Sequence, residues 1–243
     1  MESYRDKVRR VARFAGEVVA ETLWPTRCAL CDAPGQVLCD DCARHLPFLD
    51  WWRACPRCGS MYGKVQCDLC NPIALERIGL DDLPFAGCAS STAFNEETGR
   101  LVRVFKDQGE QRLATVLAEY MVRYIVPGWV FDAVTYIPAS KAAYRHRGFD
   151  HCELLAREVA QRVGRECICS LDRPATRDQR ALKGGDRISN LRSGFKPFAA
   201  QAQGKSLLLV DDVFTTGSTL CAATKALLAA DACKVFCLTF ARV

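Results

Sequence analysis

Residues 207–219, LLLVDDVFTTGST, decide the fold of this chain. The four leading apolar residues are typical of an interior strand in a parallel sheet, and Asp211 and Asp212 follow at the predicted carboxyl end of that strand. Open α/β sheets bind ligands at this end of their strands. The stretch therefore predicts an α/β domain in which two carboxylates can accept hydrogen bonds from sugar hydroxyls.

The residues that follow the strand have the chemistry of an anion site. Gly217 permits backbone torsions that turn successive N–H groups toward one point, and the helix predicted over residues 219–230 directs its positive dipole end there. No Lys follows the glycine, so this is not a P-loop. The alternative is a capped helix beside two solvated aspartates. We expect a phosphate at Thr215, Thr216, Gly217, Ser218 and Thr219.

Strands and helices alternate from about residue 84 onward, which is the pattern of a parallel sheet flanked by helices. The pattern predicts five strands, over residues 86–94, 131–140, 166–169, 207–210 and 234–241. Between them it predicts helices over residues 97–109, 112–125 and 152–163. A single domain over residues 84–243 can hold all of these elements.

Eight of the 15 cysteines form four C-x-x-C pairs in one short stretch, and this spacing predicts two tetrahedral zinc sites. The ligands are Cys28, Cys31, Cys39, Cys42, Cys55, Cys58, Cys67 and Cys70. We expect the first four on one structural Zn²⁺ and the last four on another, a double zinc ribbon over residues 24–72. Spacing leaves interleaved pairing open, and His45 is a spare candidate ligand. Trp51 and Trp52 are expected to fill the core of the ribbon.

The N-terminal segment and the distribution of charge indicate where the protein is located and what it binds. Residues 2–23 predict an amphipathic N-terminal helix, and no apolar run approaches the roughly 20 residues that cross a bilayer. We therefore expect a cytoplasmic protein that is not an integral membrane protein. Residues 141–196 contain 13 Lys or Arg against 7 Asp or Glu, a positive excess that can serve a polyanionic substrate, a nucleic acid or solubility.

A second anion site is predicted at residues 136–156, YIPASKAAYRHRGFDHCELLA. After the strand, the backbone of Pro138, Ala139 and Ser140 can turn donors toward a pyrophosphate, and the side chains of Lys141, Arg145 and Arg147 add positive charge. A basic turn that only caps the next helix is the alternative.

These motifs resemble known families. VDDVFTTGST resembles the phosphoribosyl pyrophosphate motif of type I phosphoribosyltransferases. RHRGFDHCELLA resembles the R-x-RGFNQ-x-x-LA signature of the ComF family, phosphoribosyltransferase-like proteins with an N-terminal cysteine module that are tied to competence and DNA uptake. The segments VFKDQGEQRLA and RPATRDQRALKGGDRISNLRSGF also match, so the resemblance covers nearly the whole chain. The departures are Asp107 for Tyr, and Asp150 with His151 for Asn-Gln.

The resemblance implies a type I phosphoribosyltransferase-like fold, with phosphoribosyl pyrophosphate and Mg²⁺ as ligands. It implies that Asp211 and Asp212 hold the ribose 2- and 3-hydroxyls, while the 215–219 loop holds the 5-phosphate. In such enzymes the position of residues 173–192 is held by a mobile loop that closes over the activated sugar. Our candidates in this loop are Thr176, Gln179, Arg180, Arg187 and Asn190, and a solvated loop without chemistry is the alternative.

Two functions follow from these expectations. The first is a Mg²⁺-dependent transfer of the phosphoribosyl group, in which Lys141, Arg145, Arg147 and the ion bear the pyrophosphate charge. The second is a non-catalytic protein that binds single-stranded DNA and competence-machinery proteins, and keeps the sugar-phosphate site for regulation. The sequence does not identify an acceptor.

Overall fold

The computed structural model describes residues 25–67, 69–77, 80–173 and 194–243, together with Thr22. The predicted N-terminal helix and the candidate loop residues Thr176, Gln179, Arg180, Arg187 and Asn190 lie outside the described residues. Contacts divide the chain into two units, Met1–His45 and Leu46–Val243. The domain boundaries expected at residues 1–23, 24–72 and 84–243 stay predictions.

The smaller unit contains the first cysteine tetrad and one short helix, α1 (Asp40–Arg44). Asp40 and Asp41 lie in its first turn and Arg44 lies in its last turn, an arrangement that complements the helix dipole. The larger unit contains the second cysteine tetrad, and its first helix is α2 (Pro72–Arg77).

A five-stranded parallel sheet forms the centre of the larger unit, in the order β1-β7-β6-β2-β3. Its strands are β1 (Gly87–Ala93), β2 (Ala133–Tyr136), β3 (Glu166–Cys167), β6 (Ser206–Phe214) and β7 (Lys234–Arg242). All five correspond to predicted strands, so the α/β, phosphoribosyltransferase-like fold class is confirmed. A separate antiparallel pair joins β4 (Leu171–Asp172) to β5 (Lys196–Pro197).

In the described part of the chain, six helices lie between these strands: α3 (Glu96–Lys106), α4 (Leu113–Val122), α5 (Lys141–Arg147), α6 (His151–Val163), α7 (Ala199–Ala202) and α8 (Ser218–Ala229). Asn95 and Thr98 form a reciprocal capping box at the start of α3. Its last turn presents Lys106. Leu155 and Val159 of α6 are fully buried, and this helix packs against β2 and β6.

The edge of the sheet at β1 is covered by the chain that precedes it. The Leu49 N–H donates to the Ser91 carbonyl at 2.9 Å, and the Ala93 N–H donates to the Pro47 carbonyl at 2.9 Å. Phe48 forms an antiparallel bridge with Thr92. These bonds pair backbone groups that an edge strand leaves open to another chain.

Strand β6 is longer than predicted. It continues from Ser206 through both aspartates to Phe214, so Asp211 and Asp212 lie within the strand and not beyond its end. Both are buried because β7 pairs along this whole length, with Asp211 opposite Thr239. The carboxylates are therefore held by the sheet itself.

Strands β2 and β6 are neighbours at a topological switch point. From β2 the chain goes to β3 on one side of the sheet, and from β6 it goes to β7 on the other side. The loops that follow the two strands therefore separate and leave a crevice at their carboxyl ends, where such sheets bind ligands. Among the described residues, no helix is both long enough and apolar enough to span a membrane.

Candidate functional site

The eight cysteines of the C-x-x-C pairs form two separate groups of sulfur atoms, as sequential pairing predicts. The first tetrad is Cys28, Cys31, Cys39 and Cys42, and the second tetrad is Cys55, Cys58, Cys67 and Cys70. Neighbouring sulfurs are 3.6 Å apart for Cys31 and Cys39, and 3.5 Å apart for Cys55 and Cys70. Four sulfurs that lie about 2.3 Å from one tetrahedral Zn²⁺ are roughly 3.8 Å from each other. The two tetrads thus fit structural zinc sites.

Two other expectations about the cysteine region have different outcomes. His45 is exposed, its Nδ1 lies 2.7 Å from the carbonyl of Asp41, and it is not part of the first tetrad. The expectation that Trp51 and Trp52 fill the ribbon core is wrong, since they are 51% and 53% exposed and meet edge to face at 6.1 Å. Together with Lys64, they line a small cavity of about 150 Å³.

The second tetrad is part of the core of the larger unit. Cys55, Cys58 and Cys70 pack in the same buried cluster as Phe214 of β6. Gly59 has a φ of +73°, and a Cβ there would lie 2.6 Å from the Cys88 carbonyl, so the backbone passes directly over β1. A metal-bound turn at this position would therefore stabilise the sheet as well as itself.

A cavity of about 530 Å³ lies at the carboxyl ends of β2 and β6, where the sequence places both anion sites. The predicted residues that line it are Pro138, Ala139, Ser140, Arg147, Asp211, Asp212, Thr215 and Thr219. Of the basic side chains in the described part of the chain, those that line it are Lys106, Arg147 and Arg173. Lys141 and Arg145 lie on the exposed side of α5.

The two carboxylates of the cavity differ in their surroundings. Asp212 Oδ2 is 3.0 Å from the Lys106 ammonium and 3.3 Å from His151 Nε2. Burial alone would raise the pKa of Asp212, but the His151 hydrogen bond and the Lys106 charge hold it well below its usual range. Burial and the adjacent charge of Asp212 raise the pKa of Asp211 to about 8. One carboxylate is therefore charged at neutral pH while the other binds a proton.

The loop over residues 215–219, where we expect a phosphate, contains the backbone turn that its glycine predicts. Gly217 is the N-cap of α8 with a φ of +76°, and the Thr216 and Ser218 hydroxyls are 2.8 Å apart. Thr215, Thr216 and Ser218 are exposed, so their hydroxyls face solvent. Under the loop, the ring of Phe214 would lie 2.6 Å from any Cβ at position 217. Only glycine fits both the torsion and the ring.

The pyrophosphate loop differs in part from expectation. The Ala139 N–H donates to Asp150 Oδ2 at 2.7 Å, so this donor is already bound within the protein. The other oxygen of Asp150 accepts from the Cys152 and Glu153 N–H groups and caps α6. Both carboxylate oxygens accept here, whereas an Asn has a single acceptor oxygen, so the change from Asn to Asp provides the second acceptor that joins the turn to the helix cap.

Arg147 is placed by another departure from the family pattern. Its guanidinium lies 3.2 Å from Asp107, the residue that replaces the usual Tyr. Its Nε is buried and has no hydrogen-bond partner within the described part of the chain. A buried charged donor without a partner is costly, and a bound anion would satisfy it.

Lys106 is the site residue that sequence reasoning did not select. It lies 106 positions before Asp212, at the end of α3, and only tertiary packing brings the two side chains together. The matching segment VFKDQG provided a signal, because the family pattern contains a lysine there. Without the fold, this lysine was indistinguishable from the surface cations of an amphipathic helix.

Comparisons with known proteins agree with this geometry. Residues 151–243 match the family model of the phosphoribosyl transferase domain. The DNA utilization protein YhgH of Salmonella typhimurium is 26% identical over 234 residues, which cover 88% of this chain and 96% of that protein. The competence protein ComFC of Streptococcus pneumoniae is 25% identical over 185 residues, 75% of this chain and 77% of that protein.

Among solved structures, adenine phosphoribosyltransferase from Thermoanaerobacter pseudethanolicus aligns over 58% of this chain and 84% of that chain, with 15% identity and a TM-score of 0.35. The matched domain, the relatives that span most of this chain and the paired cysteine tetrads agree with the resemblance in RHRGFDHCELLA. The chain is therefore similar to ComF-family proteins, and its residues 151–243 match a phosphoribosyltransferase-type domain.

Proposed function

We propose that the chain binds phosphoribosyl pyrophosphate with Mg²⁺ and transfers the phosphoribosyl group to an acceptor. One observation carries the proposal. The cavity joins a buried carboxylate pair, Asp211 and Asp212, to an open hydroxyl-rich loop and to the unpaired buried Nε of Arg147. These are the groups that a sugar carrying an anion at each end requires.

Each part of the ligand has a proposed partner. The ribose 2- and 3-hydroxyls donate to Asp211 and Asp212, and the 5-phosphate accepts from the 215–219 loop and the start of α8. The pyrophosphate lies toward Arg147 and the 138–140 turn. Lys141 and Arg145 are proposed to contact the outer part of the pyrophosphate. Arg147 is the principal cation for this group, because it lines the cavity while Lys141 and Arg145 are exposed on α5.

The chain also fits a magnesium ion bound with the substrate. Mg²⁺ prefers oxygen ligands and is commonly held by one or two carboxylates plus substrate phosphates, and the cavity has two carboxylates at its wall. When bound, the ion offsets pyrophosphate charge. In the transfer step, the bond from the anomeric carbon to pyrophosphate breaks and a bond to the acceptor forms. Arg147 and Lys106 stabilise the negative charge that builds on the leaving group.

Titration calorimetry with phosphoribosyl pyrophosphate and Mg²⁺ tests this proposal. We expect Asp211→Asn with Asp212→Asn to weaken binding at least tenfold. The matched control is Asp81→Asn with Asp82→Asn, an adjacent exposed pair outside the cavity lining. No binding to the wild-type chain, or binding that survives the cavity double variant undiminished, would exclude the proposal. A screen of bases and amines for pyrophosphate release then identifies the acceptor class.

A second candidate function has its own observation. Trp51 and Trp52 are half exposed beside Lys64, and unpaired bases of single-stranded DNA stack on aromatic side chains next to cations. The relatives named as competence and DNA utilization proteins are consistent with a role in DNA handling, together with competence-machinery partners. In this reading the sugar-phosphate site regulates and does not catalyse.

Fluorescence anisotropy with a labelled oligothymidylate at low salt tests this second candidate. We expect Trp51→Ala with Trp52→Ala to weaken binding about tenfold or more, since stacking contributes roughly 1–3 kcal/mol per base. Phe198→Ala is the control, because Phe198 is a similarly exposed aromatic residue outside this cavity. If the wild-type chain does not bind the strand at low salt, or if the wild-type chain and both variants bind equally, DNA binding at this surface is excluded.

A further inference from the structure

Four metal-ligating side chains meet at the wall of the cavity, two from the start of α6 and two from β6. Cys152 Sγ lies 3.4 Å from His151 Nε2 and 3.3 Å from Asp211 Oδ1. His151 Nε2 lies 3.3 Å from Asp212 Oδ2. The ligand atoms of Cys152, Asp211 and Asp212 all lie within 4.8 Å of one another. The four side chains therefore form a continuous chain of contacts in space, from Asp211 through Cys152 and His151 to Asp212.

The three consecutive donor distances suit neighbouring ligands of a tetrahedral transition-metal ion. Of the four residues, Cys152, Asp211 and Asp212 already form one group within 4.8 Å, so tetrahedral closure requires the His151 imidazole to move toward them. With metal–ligand bonds of about 2.0–2.3 Å, adjacent donor atoms around one ion are roughly 3.3–3.8 Å apart. The four residues are between 1% and 8% exposed, so few water molecules compete for the ion. A sulfur and an imidazole nitrogen suit Zn²⁺ and are poor ligands for Mg²⁺, which requires oxygen.

The charges balance for a divalent ion. With the thiol ionised, the two carboxylates and the sulfur carry three negative charges, and Lys106, 3.0 Å from Asp212, supplies one positive charge. A divalent cation neutralises the remaining two. Coordination by His151 Nε2 would place the ring proton on Nδ1, which now lies 3.4 Å from the Arg147 guanidinium, and would release that arginine.

The donor set is a feature of this chain and not of the ComF pattern. That pattern has glutamine where His151 stands and an unrestricted residue where Cys152 stands. A neutral amide would supply neither a strong metal ligand nor a thiolate partner. His151 is the departure and Cys152 is its neighbour in the chain, and each of the two side chains contacts one of the aspartates.

We propose that His151, Cys152, Asp211 and Asp212 bind a third zinc ion, separate from the two cysteine tetrads. Its regulatory consequence rests on the proposed function: an ion on Asp211 and Asp212 occupies the atoms that would accept the ribose hydroxyls. Zinc and phosphoribosyl pyrophosphate therefore compete for this chain.

The first test counts bound zinc in the intact protein, equilibrated at defined free Zn²⁺ and analysed by elemental mass spectrometry. We expect three ions in the wild-type chain, two in Cys152→Ala and two in His151→Gln, which restores the residue of the family pattern. Cys237→Ala, a change at a fully buried cysteine outside the cluster, should keep three. Co²⁺ added to protein with zinc-filled tetrads should give a sulfur-to-cobalt absorption band that Cys152→Ala abolishes.

A wild-type content of two zinc ions, or a third ion that persists in both cavity variants, would overturn the proposal. A variant that also loses the zinc of the tetrads has misfolded. In that case the other of the two variants, His151→Gln or Cys152→Ala, provides the test. If both variants misfold, Co²⁺ titration of the wild-type chain decides: the absence of a band from a single thiolate ligand overturns the site.

The second test separates this inference from the proposed function. Calorimetry of the wild-type chain with and without excess Zn²⁺ should show at least a tenfold weaker affinity for phosphoribosyl pyrophosphate when zinc is present, and no such difference in Cys152→Ala. If a third zinc binds and the sugar phosphate never does, the function fails and the metal site stands. If the sugar phosphate binds and no third zinc does, the metal site alone fails.

Discussion

At the scale of single residues, the two buried aspartates of β6 lower the stability of the free protein. Asp211 and Asp212 are adjacent and buried. Among the described side chains, Lys106 and His151 compensate the charge of Asp212, while burial and that charge raise the pKa of Asp211 to about 8. Such an arrangement is costly in a free protein and becomes favourable when a ligand pairs with it. This cost is therefore an argument for a binding role that is independent of any motif.

Asp211→Asn should stabilise the free protein, in buffer without added zinc, while it weakens sugar-phosphate binding. Because the pKa of Asp211 is raised to about 8, the folded state binds a proton that the unfolded state releases near pH 4, and stability falls as pH rises between these values. The variant should remove this slope and gain at least about 1 kcal/mol at pH 8. Urea unfolding at pH 5 and pH 8 checks it; an equal slope in both proteins would contradict the prediction.

Lys106→Met should have the opposite effect on stability. It leaves Asp212 buried beside Asp211 with His151 and the Val213 N–H as partners. Loss of one member of a buried ion pair costs up to about 3 kcal/mol, less here because Lys106 is 30% exposed. Thermal unfolding is the measurement, with Lys106→Arg expected to retain most of the stability. Lys225→Met, on the exposed side of α8, is the matched control. Equal melting of the two methionine variants would refute the role of Lys106.

At the scale of elements, the junction between β6 and α8 depends on Gly217. Gly217→Ala places a Cβ in a left-handed conformation and 2.6 Å from the Phe214 ring, so we expect a loss of about 2–4 kcal/mol and weaker sugar-phosphate binding. Gly204→Ala is a close control, since Gly204 has a φ of +71° and open space around it. It should cost only about 1–2 kcal/mol. Equal losses in the two variants would show that the ring contact has no effect.

Arg242 connects the end of β7 to two other parts of the larger unit. Its guanidinium lies 3.9 Å from the centre of the Phe214 ring, beneath the phosphate loop, and donates to the Cys58 carbonyl in the second tetrad. The residue is 4% exposed, so its charge depends on these partners.

Arg242→Met keeps the volume and removes both contacts. We expect a loss of about 2–4 kcal/mol, because a buried carbonyl loses its charged donor. Hydrogen exchange should quicken both in residues 215–219 and around Cys58. Arg157→Met, at a mostly exposed arginine of α6, is the control and should change neither region. Faster exchange near Cys58 alone would contradict a connection to the phosphate loop.

At the scale of the whole molecule, the two cysteine tetrads belong to different structural units, and their removal should have different effects. Cys55→Ser should lower the zinc content by one ion and also destabilise the sheet, because Cys55 lies in the same core cluster as Leu209 and Phe214. Cys31→Ser should lower the zinc content equally and leave the unfolding of the larger unit unchanged. Calorimetric unfolding with zinc analysis checks both; the same shift in both variants would indicate one cooperative unit.

The elements with strong periodicity were predictable from the sequence. All five sheet strands and the helices now numbered α3, α4, α6 and α8 follow from their apolar spacing and caps, which are local properties of the chain. The end of β6 was not predictable. In a hydrophobicity pattern, the two polar aspartates mark the end of the strand, but in the fold β6 continues past them because it pairs with β7. Trp51 and Trp52 were assigned to a core that is too small to bury them.

By itself, the sequence determined the sheet, the tetrad ligands and the glycine turn before α8, because each is encoded in contiguous residues whose torsions or spacing are distinctive. Only the tertiary structure decided which cations line the cavity. Among the described residues these are Lys106, Arg147 and Arg173, whereas Lys141 and Arg145 are exposed on α5. The tertiary structure also decided that His151 and Cys152 meet Asp211 and Asp212. The reason is physical: contacts between distant segments depend on how helices pack on the sheet, and a side chain's neighbours across that packing have no signature in its own segment.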